Sequence, residues 1–101
     1  MKTKEPLTKV IFRIERTKDG EVCALFPAIA GTVGKPSHCS AYVHMGQHTA
    51  ASMDYVRRTR LAKPAEYREL AAELRRIGYR LKIARRFHPS DRREREKQLA
   101  Q

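Results

Sequence analysis

The amino-acid sequence predicts an α+β domain in which a small antiparallel sheet of three to four strands packs on one main helix. Near the N-terminus, apolar and polar side chains alternate, as they do in strands with one buried face. Residues 64–77 then carry an apolar stripe at helical period, and the alternation returns after them. A chain of 101 residues suffices for one hydrophobic core. We therefore expect one domain with the element order β-β-β-α-β.

Two segments without a core-forming pattern flank the predicted domain, which covers residues 9–87. Residues 1–8 contain a proline and no apolar period, and we expect a flexible lead-in there. Half of residues 88–101 are charged. Because they offer few apolar side chains to bury, they are predicted to form a disordered or frayed helical tail.

A hairpin near the N-terminus provides the first two predicted strands. Alternation runs over Lys9–Arg16 and again over Glu21–Phe26, and the Asp-Gly dipeptide between them favours a tight turn. Pro27 has no backbone N–H to donate to a ladder, so the second strand is predicted to end there. Residues 27–36 contain two prolines and two glycines and predict an apolar loop.

A third strand is predicted over Ser37–Met45. Its small apolar residues would face the core, and Tyr42 and His44 would face outward. Residues 49–61 allow two interpretations, a short helix capped by Ser52 or an irregular connection.

The main helix is predicted to begin at Pro64, because proline suits the first helical position. It would end before Gly78, which can cap a helix C-terminus. The predicted apolar stripe consists of Tyr67, Leu70, Ala71, Leu74 and Ile77. Residues 79–84 alternate once more and predict the last strand.

Positive charge is concentrated in the C-terminal half of the chain. Residues 1–56 carry a net charge of +2, whereas residues 57–101 carry +9. Such an imbalance favours a polyanionic partner, DNA or RNA, contacted mainly through its phosphates. Solubility or protection of a strand edge is the competing explanation for these cations. The candidate nucleic-acid-binding residues are Arg57, Arg58, Arg60, Arg80, Lys82, Arg85 and Arg86.

A histidine-rich segment provides a second candidate site, a polar ligand patch made of Tyr42, His44, Gln47 and His48. In an extended strand, His44 and His48 would lie about 13 Å apart, too far to share one ion. A common metal would require the chain to fold back at Gly46. The sequence therefore assigns no metal ligands and no cofactor.

No constellation of catalytic residues is visible in the sequence. The sequence lacks a nucleophile oriented by a base, and it lacks a pair of carboxylates for acid–base catalysis. It also lacks a glycine loop that could bind phosphate. The favoured function is a non-enzymatic basic binding module. The alternatives are a protein-interaction module that forms a homodimer through a strand edge and, least favoured, a His-based ligand- or metal-dependent enzyme.

The segment His44-x-Gly46-Gln47-His48, followed by Tyr55-Val56-Arg57 and Pro64-x-Glu66-Tyr67, resembles a family of small bacterial proteins with no assigned activity. The resemblance implies a bacterial, cytoplasmic setting and a role for the histidine segment, but no reaction. The composition agrees with that setting. No apolar run reaches the roughly 18–20 residues of a membrane span, and residues 1–6 are not expected to act as a secretory signal because no apolar segment follows them. Cys23 and Cys39 are expected to be reduced core residues.

Overall fold

A computed structural model describes residues 7–16, 20–31, 33–43 and 47–100. Within these ranges it describes every side chain except those of Gln47 and His48. Within these ranges the strands are β1 (Thr8–Glu15), β2 (Val22–Ala30), β3 (His38–Val43), β4 (Gln47–Ser52), β5 (Thr59–Leu61) and β6 (Leu81–Ala84). The helices are α1 (Met53–Arg57), α2 (Pro64–Arg76) and α3 (Pro89–Leu99).

All six strands belong to one curled sheet with the order β4-β3-β2-β1-β5, and β6 also pairs with β1. Neighbours along this order are antiparallel, whereas β6 runs parallel to β1. Two strands thus share one edge of β1: β6 pairs with the first half of β1, and β5 pairs with its second half. The short helix α1 contacts both β4 and β5, which requires the sheet to curl.

The α+β class is confirmed, but the predicted number of three to four strands is wrong. The additional strands β4 and β5 lie in the stretch of the chain whose sequence has no clear period. The three-residue β5 forms by pairing with the distant β1. The strand β4 pairs with β3, which precedes it in the chain, but its sequence does not alternate between apolar and polar side chains. The predicted turn between β1 and β2 falls mainly on residues 17–19, outside the described residues.

Both faces of the sheet are covered. On one face, Val10 and Phe12 pack against α2, and on the other Ile11 and Leu25 pack in a second buried cluster. This explains why Ile11 interrupts the alternation in β1. It also corrects the prediction for Tyr42, which is only 2% exposed and packs in the cluster beneath α2 instead of facing outward. The Tyr42 hydroxyl donates to the Glu73 carboxylate on α2.

The second strand continues beyond its predicted end at Pro27 and reaches Ala30. The pairing register with β3 shifts between Phe26 and Ala30, as at a β-bulge. A bulge accommodates a residue that cannot donate to the ladder, which is why Pro27 lies inside the strand. Part of the predicted loop 27–36 is therefore strand.

The helical predictions from capping and period are largely confirmed. Ser52 caps α1, since its hydroxyl accepts the backbone N–H of Tyr55 at 3.1 Å. The helix α2 begins at Pro64, and Gly78 follows its end with a φ of 115°. One member of the predicted stripe, Ile77, lies past the last turn and is 54% exposed.

The segment predicted to be disordered or a frayed helix is the helix α3, which packs on β2. Its main anchor is Arg95, whose side chain is buried with only 2% exposure. The guanidinium donates to the carbonyl of Pro36 at 2.9 and 3.0 Å and to that of Pro27 at 2.5 Å. Polar contacts attach α3 to the sheet, so a search for a pattern of apolar residues could not predict that this helix packs.

A second polar anchor lies near the end of α3. The Gln98 side chain accepts the backbone N–H of Ala30 and donates to the carbonyl of Ala28, both at 2.8 Å. The amide thereby satisfies backbone groups at the end of β2, where the ladder with β3 is irregular.

Both cysteines are free thiols buried in the second cluster, as predicted. Burial raises the pKa of Cys39 to about 11 and raises that of Cys23 above its ordinary value. Among the described residues, none of the helices combines the length and apolar character needed to cross a bilayer.

Candidate nucleic-acid interface

The structure divides the seven predicted basic residues into separate groups. Two of them are paired with acids. Arg57 lies 2.8 Å from Asp54, and Arg60 donates two hydrogen bonds to the carboxylate of Glu66, at 2.9 and 2.7 Å. The side-chain hydrogen bond from Arg60, together with the N–H of Lys63, lowers the pKa of Glu66 to about 2. These two arginines are therefore poor candidates for phosphate contacts.

A third predicted residue, Arg58, is exposed but lies apart. It lines a shallow pocket beside Glu15 and Tyr55, at the C-terminal end of β1. The Tyr55 hydroxyl donates to the Glu15 carboxylate at 3.0 Å, so an acid is part of this pocket. The rise of an extended strand places Glu15 about 20 Å from Lys9 at the other end of β1.

The remaining cations gather near β6. Lys82 is exposed on the strand, and Arg85 and Arg86 are exposed just after it. Arg80 precedes the strand and is exposed. Its carbonyl accepts the backbone N–H of Thr8 at 2.6 Å. Arg80 is not among the residues that line the groove between β6 and α3.

A groove of about 880 Å³ lies between β6 and the start of α3, and we call it the cationic groove. Its lining residues are Lys9, Leu61, Lys82, Ala84, Arg85, Arg86, His88, Ser90 and Asp91. Parallel pairing of β6 with β1 brings Lys82 beside Lys9 across the sheet. The groove therefore joins cations from both ends of the sequence.

The acid within this groove is already compensated. The Oδ2 atom of Asp91 accepts the ammonium of Lys9 at 2.8 Å and the backbone N–H of His88 at 2.7 Å. The Asp91 side chain is also nearly buried, so it presents little negative charge to solvent. Within the described part of the chain, Lys82, Arg85 and Arg86 have no carboxylate at ion-pair distance.

The start of α3 completes one wall of the groove. His88 caps the helix because its Nδ1 accepts the backbone N–H of Ser90 at 3.2 Å. The Asp91 carboxylate caps it reciprocally through His88 N–H, as in a capping box. The cap holds the backbone after Arg86 in place, so the two arginines project from a structured segment.

Sequence reasoning missed Lys9, His88 and Ser90 as groove residues. The alternation of β1 correctly places Lys9 opposite Val10, but parallel pairing between segments more than seventy positions apart leaves no local signal. The helix-start pattern of a proline followed by an acid was present at Pro89 and Asp91, and it was the usable signal.

Only part of the predicted polar ligand patch lies within the residues whose side chains the structure describes. Tyr42 is buried beneath α2, and His44 lies outside the described ranges. The backbones of Gln47 and His48 pair with Val43 and Tyr42, so the chain reverses between β3 and β4. In the described ranges, no three His, Cys, Asp or Glu side chains lie close enough to hold a metal ion. A role for His44, Gln47 and His48 stays a prediction.

Comparison of the chain with protein-family models, with curated proteins and with solved structures gave no match. The case for the cationic groove therefore depends on its residues and their geometry.

Proposed function

We propose that the protein is a non-enzymatic binding module that contacts the backbone of a nucleic acid through the cationic groove. The observation that carries the proposal is the set of three cations, Lys82, Arg85 and Arg86, whose charges no described acid neutralises, beside an acid already held by Lys9. Unpaired cations in one groove attract phosphates, and arginine can bind a phosphate through two parallel hydrogen bonds.

The expected affinity is modest and dependent on salt. If the three cations each neutralise one phosphate, the affinity for single strands falls about twentyfold between about 50 and 200 mM salt. A duplex would lose about fortyfold over the same range. Contacts to phosphates carry no sequence information, so we expect little discrimination between sequences.

A matched pair of variants tests the proposal. Arg85→Gln with Arg86→Gln removes two charges from the groove, and Arg75→Gln with Arg76→Gln removes two from the exposed end of α2. Binding of mixed-sequence DNA and RNA is measured by fluorescence anisotropy in low salt. We expect a loss of about tenfold or more for the groove variant, because two of its three phosphate contacts are removed, and of less than threefold for the control.

Two results would contradict the proposal. Equal losses in both variants would mean that net charge, not the groove, attracts the nucleic acid. Wild-type affinity weaker than about millimolar in low salt would place binding below ordinary non-specific association.

A second candidate function, self-association through a strand edge, is favoured by β4. This strand lies at the end of the sheet order, and its sequence contains no charged residue and no proline. Charges and prolines are common protections of exposed edges. Light scattering over a range of protein concentrations tests this candidate, and a strict monomer throughout would exclude it.

A further inference from the structure

A second, smaller pocket adjoins the cationic groove at the edge of the sheet. It has a volume of about 410 Å³, and its lining residues include Phe12, Leu61, Tyr67, Ile83, Ala84 and Arg85. Three residues, Leu61, Ala84 and Arg85, line both this pocket and the groove. We call it the apolar pocket, because its walls are mostly hydrophobic side chains.

The pocket results from the way two strands share one edge of β1. The strand β5 ends at Leu61, and the chain turns there into α2. The strand β6 ends at Ala84 on the same edge of β1. The Ala62 N–H donates to the Phe12 carbonyl at 2.9 Å and holds that turn against β1. The backbone around the pocket is therefore tied to the sheet.

The pocket contains a stacked aromatic pair and an exposed apolar side chain, and the exposed cations Lys63 and Arg85 also line it. The rings of Phe12 and Tyr67 stack with their centroids 4.4 Å apart and an angle of 11° between their planes. Ile83 lies at the rim and is 40% exposed. Arg85 stands between these apolar walls and the cations of the groove.

We propose that the apolar pocket receives one unstacked nucleobase while the adjoining phosphates lie in the cationic groove, so that the partner is single-stranded rather than duplex nucleic acid. This inference rests on the proposed function of the groove. A nucleotide joins a flat, largely apolar ring system to a phosphate, and the pocket and groove offer complementary surfaces that meet at Arg85. The bases of a duplex are stacked and paired, so they cannot enter without unpairing.

Strand discrimination is the first test. Oligonucleotides of about twelve nucleotides are compared as single strands and as duplexes, at one salt concentration. We expect the single strand to bind at least fivefold more tightly, because only its bases are free to leave the stack. Equal or tighter binding of the duplex would overturn this inference and leave the groove proposal standing. Absence of binding to either form would overturn both.

A variant of the pocket rim provides the second test. Ile83→Thr keeps the β-branched side chain that strands favour but removes apolar surface from the rim. We expect it to weaken single-strand binding about fivefold, which is the low end of what stacking of one base on an aromatic side chain contributes. Binding of an abasic strand of the same length should be unchanged, since that strand has no base to insert.

The matched control is Ile77→Thr, at an exposed isoleucine that lines neither cavity and lies about 20 Å along α2 from Pro64. Equal effects of the two substitutions, or equal weakening of the abasic strand by Ile83→Thr, would overturn the inference. The comparison of base-bearing and abasic strands on the wild-type protein needs no variant, and equal affinities there would overturn it as well.

Competition by adenosine monophosphate separates a free nucleotide from a strand as the ligand. If the strand is the partner, the monophosphate competes only at concentrations at least a hundredfold higher, because it contacts the groove through one phosphate. Competition at equal concentration would overturn the assignment to a strand.

Discussion

The two longer helices are attached to the sheet in opposite ways. On α2, apolar residues such as Leu70 and Leu74 pack into a cluster with Val10 and Phe12. On α3, a buried arginine and a glutamine bind backbone groups of β2 and of the loop after it. The comparison teaches that apolar packing leaves a periodic signal in the sequence, whereas polar anchoring of a helix does not.

Truncation of the apolar anchor should have the largest effect. Leu74 lies on the buried face of α2 and is fully buried, and Leu74→Ala removes its packing and leaves a cavity. We expect the free energy of unfolding to fall by about 3 kcal/mol, as measured by urea denaturation. A fall below about 1 kcal/mol would mean that this helix does not carry the main core.

The polar anchor is tested by Arg95→Met. The substitution keeps much of the side-chain length but leaves the carbonyls of Pro27 and Pro36 without their donors. We expect a loss of about 2 to 4 kcal/mol in urea denaturation, because hydrogen bonds from a charged donor are removed together.

The matched control for the polar anchor lies on the same helix. Arg92 is exposed and pairs with Glu96 one turn away, so Arg92→Met should lower stability by about 0.5 kcal/mol or less. Equal effects of the two substitutions would contradict the anchoring role of Arg95, and the contrast between the two helices would then disappear.

The junction between groove and helix is probed by Asp91→Asn. The amide keeps the shape of the side chain but removes the charge that Lys9 and the His88 N–H contact. We expect a loss of about 1 to 2 kcal/mol in stability. Nucleic-acid affinity should rise, because Lys9 is then available to a phosphate; unchanged or weaker affinity would count against the groove as the binding surface.

The start of α2 should respond to acid. The pKa of Glu66 in the folded protein is about 2, below its ordinary 4.5, so the folded state binds fewer protons in this interval. The stabilisation by Glu66 is present above pH 4.5 and is lost as the pH falls toward 2. The difference in melting temperature between wild type and Glu66→Gln should therefore shrink over that range, and a constant difference would contradict it.

The parts of the fold with local signals could be predicted from the sequence. Alternation predicted the pairing of β1 with β2, and the apolar stripe with Pro64 predicted α2. The strands β4 and β5 carried no such signal. The strand β5 is held by pairing with the distant β1, and β4 pairs with the neighbouring β3 without an alternating sequence. Burial of Tyr42 was missed because the prediction assumed one covered face of the sheet, whereas helices cover both.

Part of the candidate site was predictable for the same reason. The positions of Lys82, Arg85 and Arg86 follow from one local run of charge. The pairing of Arg57 with Asp54 could also be read from their spacing on a helix, because residues three apart are neighbours there. The contribution of Lys9 depends on parallel pairing across the whole chain, and the sequence alone does not determine it.

The central claim is that Lys82, Arg85 and Arg86, which no described acid neutralises, bind phosphate in the groove. The salt dependence of binding measures this most directly. For a single strand, the logarithm of affinity against the logarithm of salt concentration should have a slope of about −2 in the wild type. Arg85→Gln with Arg86→Gln should reduce the slope to about −0.7, because only Lys82 then contacts a phosphate. A slope unchanged by the double substitution would contradict the account.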